Sequence, residues 1–254
     1  MISQKWLTKM SYQTFAQVYD AIMDDSLYEK WLSFVKQQVA TKDQKILELA
    51  CGTGALAVTL KQAGFDVTGL DLSENMLTLA NERAINAGVK LPLIEGDMLD
   101  LSEIGTYDVV TCFSDSICYM PDEAAVGKVF NEVANLLPAE GQFLFDVHSV
   151  YQMDEVFPGY MYNDASQEIS FLWQSYEGEV PHSIEHDLTF FVYDEELDSY
   201  ERFDECHKER TYPLEQYLQL LKQAGFSQVK VSGEFGTQEV TDQTTRWFFT
   251  CSKK

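Results

Sequence analysis

Ile46-Leu47-Glu48-Leu49-Ala50-Cys51-Gly52-Thr53-Gly54 is a short apolar run stopped by a glycine turn, and apolar residues at helical spacing follow it as far as Ala63 and a stop at Gly64. A strand, a tight turn and a helix are predicted. The cycle repeats outward: strand 66–70, helix 74–87 closed by Gly88, strand 91–94, strand 107–113, helix 123–137 and strand 142–147. Short apolar runs alternating with helices predict a parallel sheet covered on both faces, because parallel neighbours need crossover connections. The predicted core is doubly wound α/β. Upstream, Phe15, Val18, Tyr19 and Ile22, then Trp31, Leu32, Phe34 and Val35, recur at three and four, which predicts two helices broken near Asp24-Asp25-Ser26.

Residues 150–210 interrupt the cycle. Ile169, Phe171 and Trp173, then Ile184, His186, Leu188, Phe190 and Val192, alternate with polar residues, the two-residue period of antiparallel strands with one wet face. Two or three such strands are predicted to form an inserted cap. The α/β pattern resumes with helix 214–224, strand 228–234 and a last strand at 245–251. No repeat or composition-shifted linker divides the chain, so residues 1–254 read as a single domain with an α/β core over 12–148 and 211–252 and a cap over 150–210.

The chain carries 18 Lys and Arg against 41 Asp and Glu, a net charge of −23, which disfavours unaided binding to a phosphate backbone. Its five cysteines are odd in number and form no C-x-x-C, which predicts a reduced, cytoplasmic setting. No uncharged apolar run approaches the ~18 residues of a membrane span, and no secretory signal opens the chain. Met10 begins a new stretch, so residues 1–9 read as a leader or an upstream start.

Glycines directly after a strand let the backbone approach a ligand at a helix N-terminus. Gly52-Thr53-Gly54-Ala55-Leu56-Ala57 fits G-x-G-x-x-A and Asp71 lies 19 residues beyond Gly52, so the dinucleotide fingerprint is loosely met. Charge separates the two readings. A pyrophosphate wants no nearby anion, yet Glu48 ends the strand and residues 46–60 contain no Lys or Arg. S-adenosylmethionine carries an ammonium and a sulfonium, which an acid at that strand end complements. Asp71, at the end of the second strand, suits ribose hydroxyls. Asp97, in Gly96-Asp97-Met98 beyond the third, suits an adenine amino group, with Met98 able to cover the ring. Ligands in such sheets bind outside the carboxyl ends of the strands, where these three acids fall.

The sequence resembles a class I S-adenosylmethionine-dependent methyltransferase: Glu48 to Gly54 is similar to the family's acidic, glycine-rich first motif, Asp71-Leu72 to its ribose motif and Gly96-Asp97-Met98 to its adenine motif. The opening Tyr12-x-x-Phe15-Ala16-x-x-Tyr19-Asp20 and Phe113-Ser114-Asp115-Ser116-Ile117-Cys118-Tyr119 resemble a small group of bacterial methyltransferases called YqeM-type. The resemblance implies a Rossmann-like doubly wound sheet of seven strands with the last antiparallel. It also implies an antiparallel insertion after the fifth strand that covers substrate, as in relatives of the glycine and sarcosine N-methyltransferase kind. The implied cofactor contacts are Glu48, Gly52, Asp71, Leu72, Asp97, Met98 and Phe113, joined by Tyr19, Ala50, Cys51, Gly54 and Met76. Ala50 departs from the family, which often has glycine there.

Methyl transfer from a sulfonium is an in-line displacement that needs alignment and a water-poor site more than a base. Where an amine or phenol must lose a proton, the candidates beyond the fourth and fifth strands are Asp115, Tyr119 and His148. No metal is expected: His182-x-x-x-His186 has no third ligand in sequence, and Cys51 has no neighbouring base. Residues 150–210 hold 16 Asp and Glu, 3 Lys and Arg and 12 aromatics. That composition favours a small neutral or cationic acceptor if the acids line the site, and a merely wet strand face if they do not. A nicotinamide-dependent oxidoreductase and a non-catalytic S-adenosylmethionine-binding module are the alternatives. An RNA or protein acceptor is less favoured, and an exposed cap edge would allow a homodimer.

Overall fold

The computed structural model describes residues 26–195 and 197–253. The chain runs α1 (Ser26–Gln38), β1 (Lys45–Leu49), α2 (Ala55–Gln62), β2 (Asp66–Asp71), α3 (Glu74–Asn86), β3 (Leu93–Glu95), β4 (Val109–Cys112), α4 (Glu123–Leu136) and β5 (Gln142–His148). Then come β6 (Met161–Ala165), β7 (Ile169–Glu177), β8 (Ser183–Asp194), β9 (Ser199–Arg210), α5 (Leu214–Gln223), β10 (Gln228–Ser232) and β11 (Arg246–Ser252). The first predicted helix, with Tyr19, lies outside the described residues.

Seven strands form one sheet in the order β3-β2-β1-β4-β5-β11-β10, with β11 antiparallel to both β5 and β10. The chain builds outward from β1 to β3, then crosses back to β4 and β5, so the direction of winding reverses between β1 and β4. In sheets of this kind ligands bind outside the carboxyl ends of the strands beside such a reversal. Both faces are covered, which is why β4 is buried at every residue and β1 at all but Lys45. Trp31, Phe34 and Val35 of α1 and Leu56, Ala57 and Leu60 of α2 pack on one face; Val129, Phe130 and Val133 of α4 and Tyr217 and Leu221 of α5 pack on the other. Apolar burial of this kind contributes about 25 cal/mol per Å².

The insertion is a four-stranded antiparallel meander, β6-β7-β8-β9, rather than the two or three strands expected. Its outer strands explain the difference. Every residue of β6 is exposed, and the inward positions of β9 are Phe203, Glu205, His207 and Glu209, so apolar alternation is weak in both. The inner face joins the main core through Ile184 and Trp173, while Phe171 and Phe190 stack at 4.8 Å and pack against Met76 of α3. No helix among the described residues is long and apolar enough to cross a membrane.

Candidate active site

The turn after β1 is shaped by three left-handed residues, Ala50 (φ 51), Gly52 (φ 53) and Gly54 (φ 72). Gly54 begins α2, and a Cβ there would stand 2.8 Å from Ala80 Cβ of α3, so only glycine lets the two helices close on each other. A Cβ at Gly52 meets nothing within 4 Å, which leaves open space above the turn. Ala50 accounts for the family's preference for glycine. The left-handed conformation costs an L-residue ~1–2 kcal/mol, while added glycine freedom in the unfolded chain offsets about 0.4–1 kcal/mol. Ala50→Gly is therefore expected to stabilise the protein by about 0.5–1 kcal/mol, read as a higher urea midpoint; a lower midpoint would show that the turn is not strained at this residue.

Asp71 ties the turn to the end of β2. Its Oδ2 accepts from the Gly52 N–H at 2.8 Å and its Oδ1 from the Ser73 N–H at 2.9 Å. Ser73 in turn caps α3 by accepting from the Met76 N–H. Leu72, between them, is 70% exposed, an uncovered apolar side chain at the rim. Asp97 holds its own turn by accepting from the Leu99 N–H at 2.8 Å, and Met98 is half-buried against the core. Glu48 is buried beneath the turn, and its Oε2 has no hydrogen-bond partner among the described residues. Burial, then the charge of Asp71, pushes the Glu48 carboxyl up to about 8. Cys51 is buried, and burial, then Glu48 and Asp71, raise its thiol, so it is not a thiolate. The Phe113 side chain is turned into the core against Trp31 and Phe34, which leaves its backbone, not its ring, near the rim.

Past β4 the chain makes a second strained turn, with Ser114 and Asp115 both left-handed, before a short 3₁₀ turn at Ser116–Tyr119. Asp146 of β5 holds it. Fully buried, Asp146 accepts from the Asp115 N–H (2.8 Å), Arg246 Nη1 (3.1 Å) and the Trp31 indole (2.7 Å). Arg246 also pairs with the Asp115 carboxylate at 2.5 Å, whose other oxygen lies 3.2 Å from His148 Nε2. Burial raises Asp115, but Arg246 and His148 outweigh it and hold its pKa well below the usual carboxylate range. Tyr119 Oη lies 3.1 Å from His207 Nδ1.

Of the three candidates read from the sequence, Asp115 and His148 are in direct contact, whereas Tyr119 stands at the half-exposed edge of the group against His207. The cap adds Glu209 and His186. Glu209 Oε2 is 3.8 Å from His148 Nε2, and its Oε1 is 3.9 Å from His186 Nε2. Glu209, Arg246 and Asp146 were not anticipated, because each is a lone charge in its own strand and only the pairing of β5 with β11 and of β8 with β9 assembles them. Cys112, buried at the end of β4, has its thiol raised by burial and then by the charges of Asp146, Glu48, Asp115 and Asp71.

Residues 46–141 match a family model described as a methyltransferase domain. A protein of Geobacillus sp. (strain WCH70) named as a methyltransferase is 40% identical over 96% of this chain and 100% of its own length. The chain belongs to the S-adenosylmethionine-dependent methyltransferases. YqeM of Bacillus subtilis (strain 168), also named as a methyltransferase, is 38% identical over 96% of this chain and 98% of its own. The crystal structure of an S-adenosylmethionine-dependent methyltransferase from Clostridium acetobutylicum ATCC 824 superposes with a TM-score of 0.82 at 30% identity, covering 95% of this chain and 98% of that one. These likenesses lend no support to the nicotinamide or the non-catalytic reading.

The methyltransferase's first strand end fits its cofactor: Glu48 offers a buried acceptor without a donor, and the turn above it holds no competing cation. A metal fits the second group less well. Ligand atoms of Asp115, His148 and Glu209 lie within 4.8 Å of one another, but Arg246 already supplies a cation to Asp115, and His148 Nδ1 has no hydrogen-bond partner among the described residues, where a metal-bound histidine has an orienting one. His182 and His186 do not converge: the first pairs with Asp154 at 2.7 Å and the second with Ser175 at 2.7 Å.

Glu48, raised to about 8, and Glu209, raised by burial and Asp115 to about 7, bind protons more tightly folded than unfolded. Their contribution to stability is complete below about 4.5 and is lost as pH rises toward 8. The cofactor-free enzyme is therefore expected to melt at a lower temperature at pH 8 than at pH 5. Glu48→Gln should flatten that slope, and an unchanged profile would exclude Glu48 as its source.

Proposed function

We propose that the enzyme methylates a small neutral or cationic acceptor held between the carboxyl rim of the main sheet and the underside of the four-stranded sheet, which we read as an insertion within one domain. The convergence of Asp115, His148 and Glu209 where the two sheets meet carries this reading. In it, Glu48, the backbone of the Ala50 to Gly54 turn, Asp71, Leu72, Asp97 and Met98 hold the cofactor. Met76 links that side to the cap cluster of Phe171 and Phe190. When bound, S-adenosylmethionine supplies an electrophilic methyl group.

The chain's own part is placement and exclusion of water. His148 is buried and braced edge-on by Phe157 at 4.9 Å, so its Nε2 keeps a fixed position beside Asp115. Most cap acids, such as Asp187 and Asp204, lie on the wet face, whereas Glu205 and Glu209 turn inward. The inward acids outweigh the Arg246 guanidinium, already shared by two aspartates, and leave the site anionic, which disfavours an acidic acceptor.

The test is to supply the cofactor with panels of small amines, phenols and carboxylic acids and to measure S-adenosylhomocysteine. Turnover confined to the amines or phenols is expected. Turnover confined to carboxylates, or to RNA or protein, would overturn the reading.

A further inference from the structure

Glu209 is a deeply buried carboxylate beneath the cap that accepts from the Tyr119 hydroxyl. It is 5% exposed, and its Oε2 has no hydrogen-bond partner among the described residues. The groups facing it come from five elements: Asp115, Cys118 and Tyr119 from the segment after β4, His148 from β5, His186 from β8, His207 from its own strand and Arg246 from β11. Arg246 is the only full cation among them, and it is shared between Asp115 and Asp146.

The hydrogen bonds fix the tautomer of His186. Its Nδ1 accepts from the Trp173 indole N–H at 3.1 Å and lies 2.7 Å from the Ser175 hydroxyl. An indole nitrogen only donates, so Nδ1 is unprotonated and the ring proton sits on Nε2, toward Glu209 Oε1. Burial also lowers the His186 pKa to about 4, which keeps the ring neutral. Aromatic rings back the two histidines that flank this carboxylate: Phe157 lies edge-on to both His148 and His186, Trp173 packs against Phe157 at 6.4 Å, and Tyr160 against Trp173 at 5.4 Å. A buried acid with one oxygen lacking a donor, close to aromatic rings and short of cations, is the chemistry that receives an organic ammonium.

We propose that Glu209 is a catalytic residue that binds the acceptor as an ammonium ion and takes its proton, so that the acceptor is a primary or secondary amine. The proposal rests on the small-acceptor reading above and narrows it. In the step, one N–H bond of the ammonium breaks, an O–H bond forms on Glu209, and the electron pair stays on nitrogen as the nucleophilic lone pair. His186 acts as a positioning residue, its Nε2–H directed at Oε1. Burial, with Asp115 next, places Glu209 at about 7, where a base exchanges protons readily at neutral pH.

Three probes of one shape and different charge decide it: benzylamine, benzyl alcohol and benzoate, titrated calorimetrically into the full-length enzyme loaded with S-adenosylhomocysteine. Benzylamine is expected to bind at least tenfold more tightly than the alcohol, and benzoate not measurably. At neutral pH in two buffers of different ionisation enthalpy, benzylamine should release a measurable fraction of a proton, as Glu209 is driven to its ionised form. Glu209→Gln should lose the release and at least tenfold in benzylamine affinity while binding S-adenosylhomocysteine as before. Should that variant fail to bind S-adenosylhomocysteine, Glu209→Asp serves instead, with the release kept and affinity reduced.

Benzylamine affinity within twofold of wild type in Glu209→Gln would overturn the proposal, as would an Asp variant without proton release. Benzyl alcohol binding as well as the amine would overturn the ammonium assignment and leave the small-acceptor reading standing. Benzoate binding best would overturn both. Binding of none of the three would exclude an amine site under the cap.

Discussion

Asp146→Ala is expected to destabilise the protein by about 3–5 kcal/mol, the range for breaking a buried, hydrogen-bonded ion pair by removing one partner. Three donors converge on this carboxylate from distant parts of the chain: the Trp31 indole of α1, the Asp115 N–H and Arg246 Nη1 of β11. Each donor left buried without a partner costs about 1–3 kcal/mol. Arg246 keeps Asp115, which limits its share; Trp31, 2% exposed, has no such alternative. Asp146 itself bears a burial cost, since desolvation raises its pKa, Arg246 opposes the rise and Asp115 adds to it. A double-mutant cycle with Arg246→Ala should therefore show strong coupling, with the pair costing less than the sum of the single changes. Urea denaturation measures this as a lower midpoint at unchanged slope. A loss below about 1 kcal/mol would mean that the network is surface-like and that the Asp115 turn is held by something else.

That network marks the boundary of what the sequence disclosed. The main sheet was legible because apolar runs and glycine stops recur with a helical rhythm between them, and predicted strand ends such as 66–70 and 142–147 fall within a residue of those observed. The places of Glu48 and Asp71 near the carboxyl ends of β1 and β2 were legible because each falls at the close of a short apolar run. Asp146 was not. A charge inside Phe143-Leu144-Phe145-Asp146-Val147 has no local partner, and its role appears only when β11 pairs with β5 and sets Arg246 beside His148. Glu209 was hidden for the opposite reason, as one acid among many in a strand where the next residues are also charged. The inserted β6 left no signal, since an edge strand exposed throughout has no buried face to impose alternation. Phe113 shows how adjacency misleads: it stands next to the rim in sequence, yet its ring belongs to the core beneath α1.

Asp71→Ala should weaken binding of S-adenosylhomocysteine by about 10- to 100-fold, whereas Asp97→Ala should weaken it by only about fivefold. The difference follows from what each carboxylate does before any ligand arrives. Asp71 accepts from Gly52 and Ser73, so it orients the glycine turn and the start of α3 together, and its remaining lone pairs are free for ribose hydroxyls. Its loss removes charge-assisted hydrogen bonds worth about 1.5–3 kcal/mol and loosens the backbone that frames the open space above Gly52. Asp97 supports only its own turn through Leu99, in an exposed position where water competes for each contact. Asp71→Asn separates the two effects of the first change: one amide oxygen still accepts from Gly52 or Ser73, so the turn is partly kept while the charge is gone. Calorimetric affinities that fall in the order wild type, Asp97→Ala, Asp71→Asn, Asp71→Ala would place the ribose at the end of β2. Equal affinity in wild type and Asp71→Ala, with the variant folded by its circular dichroism, would move the cofactor away from this rim altogether.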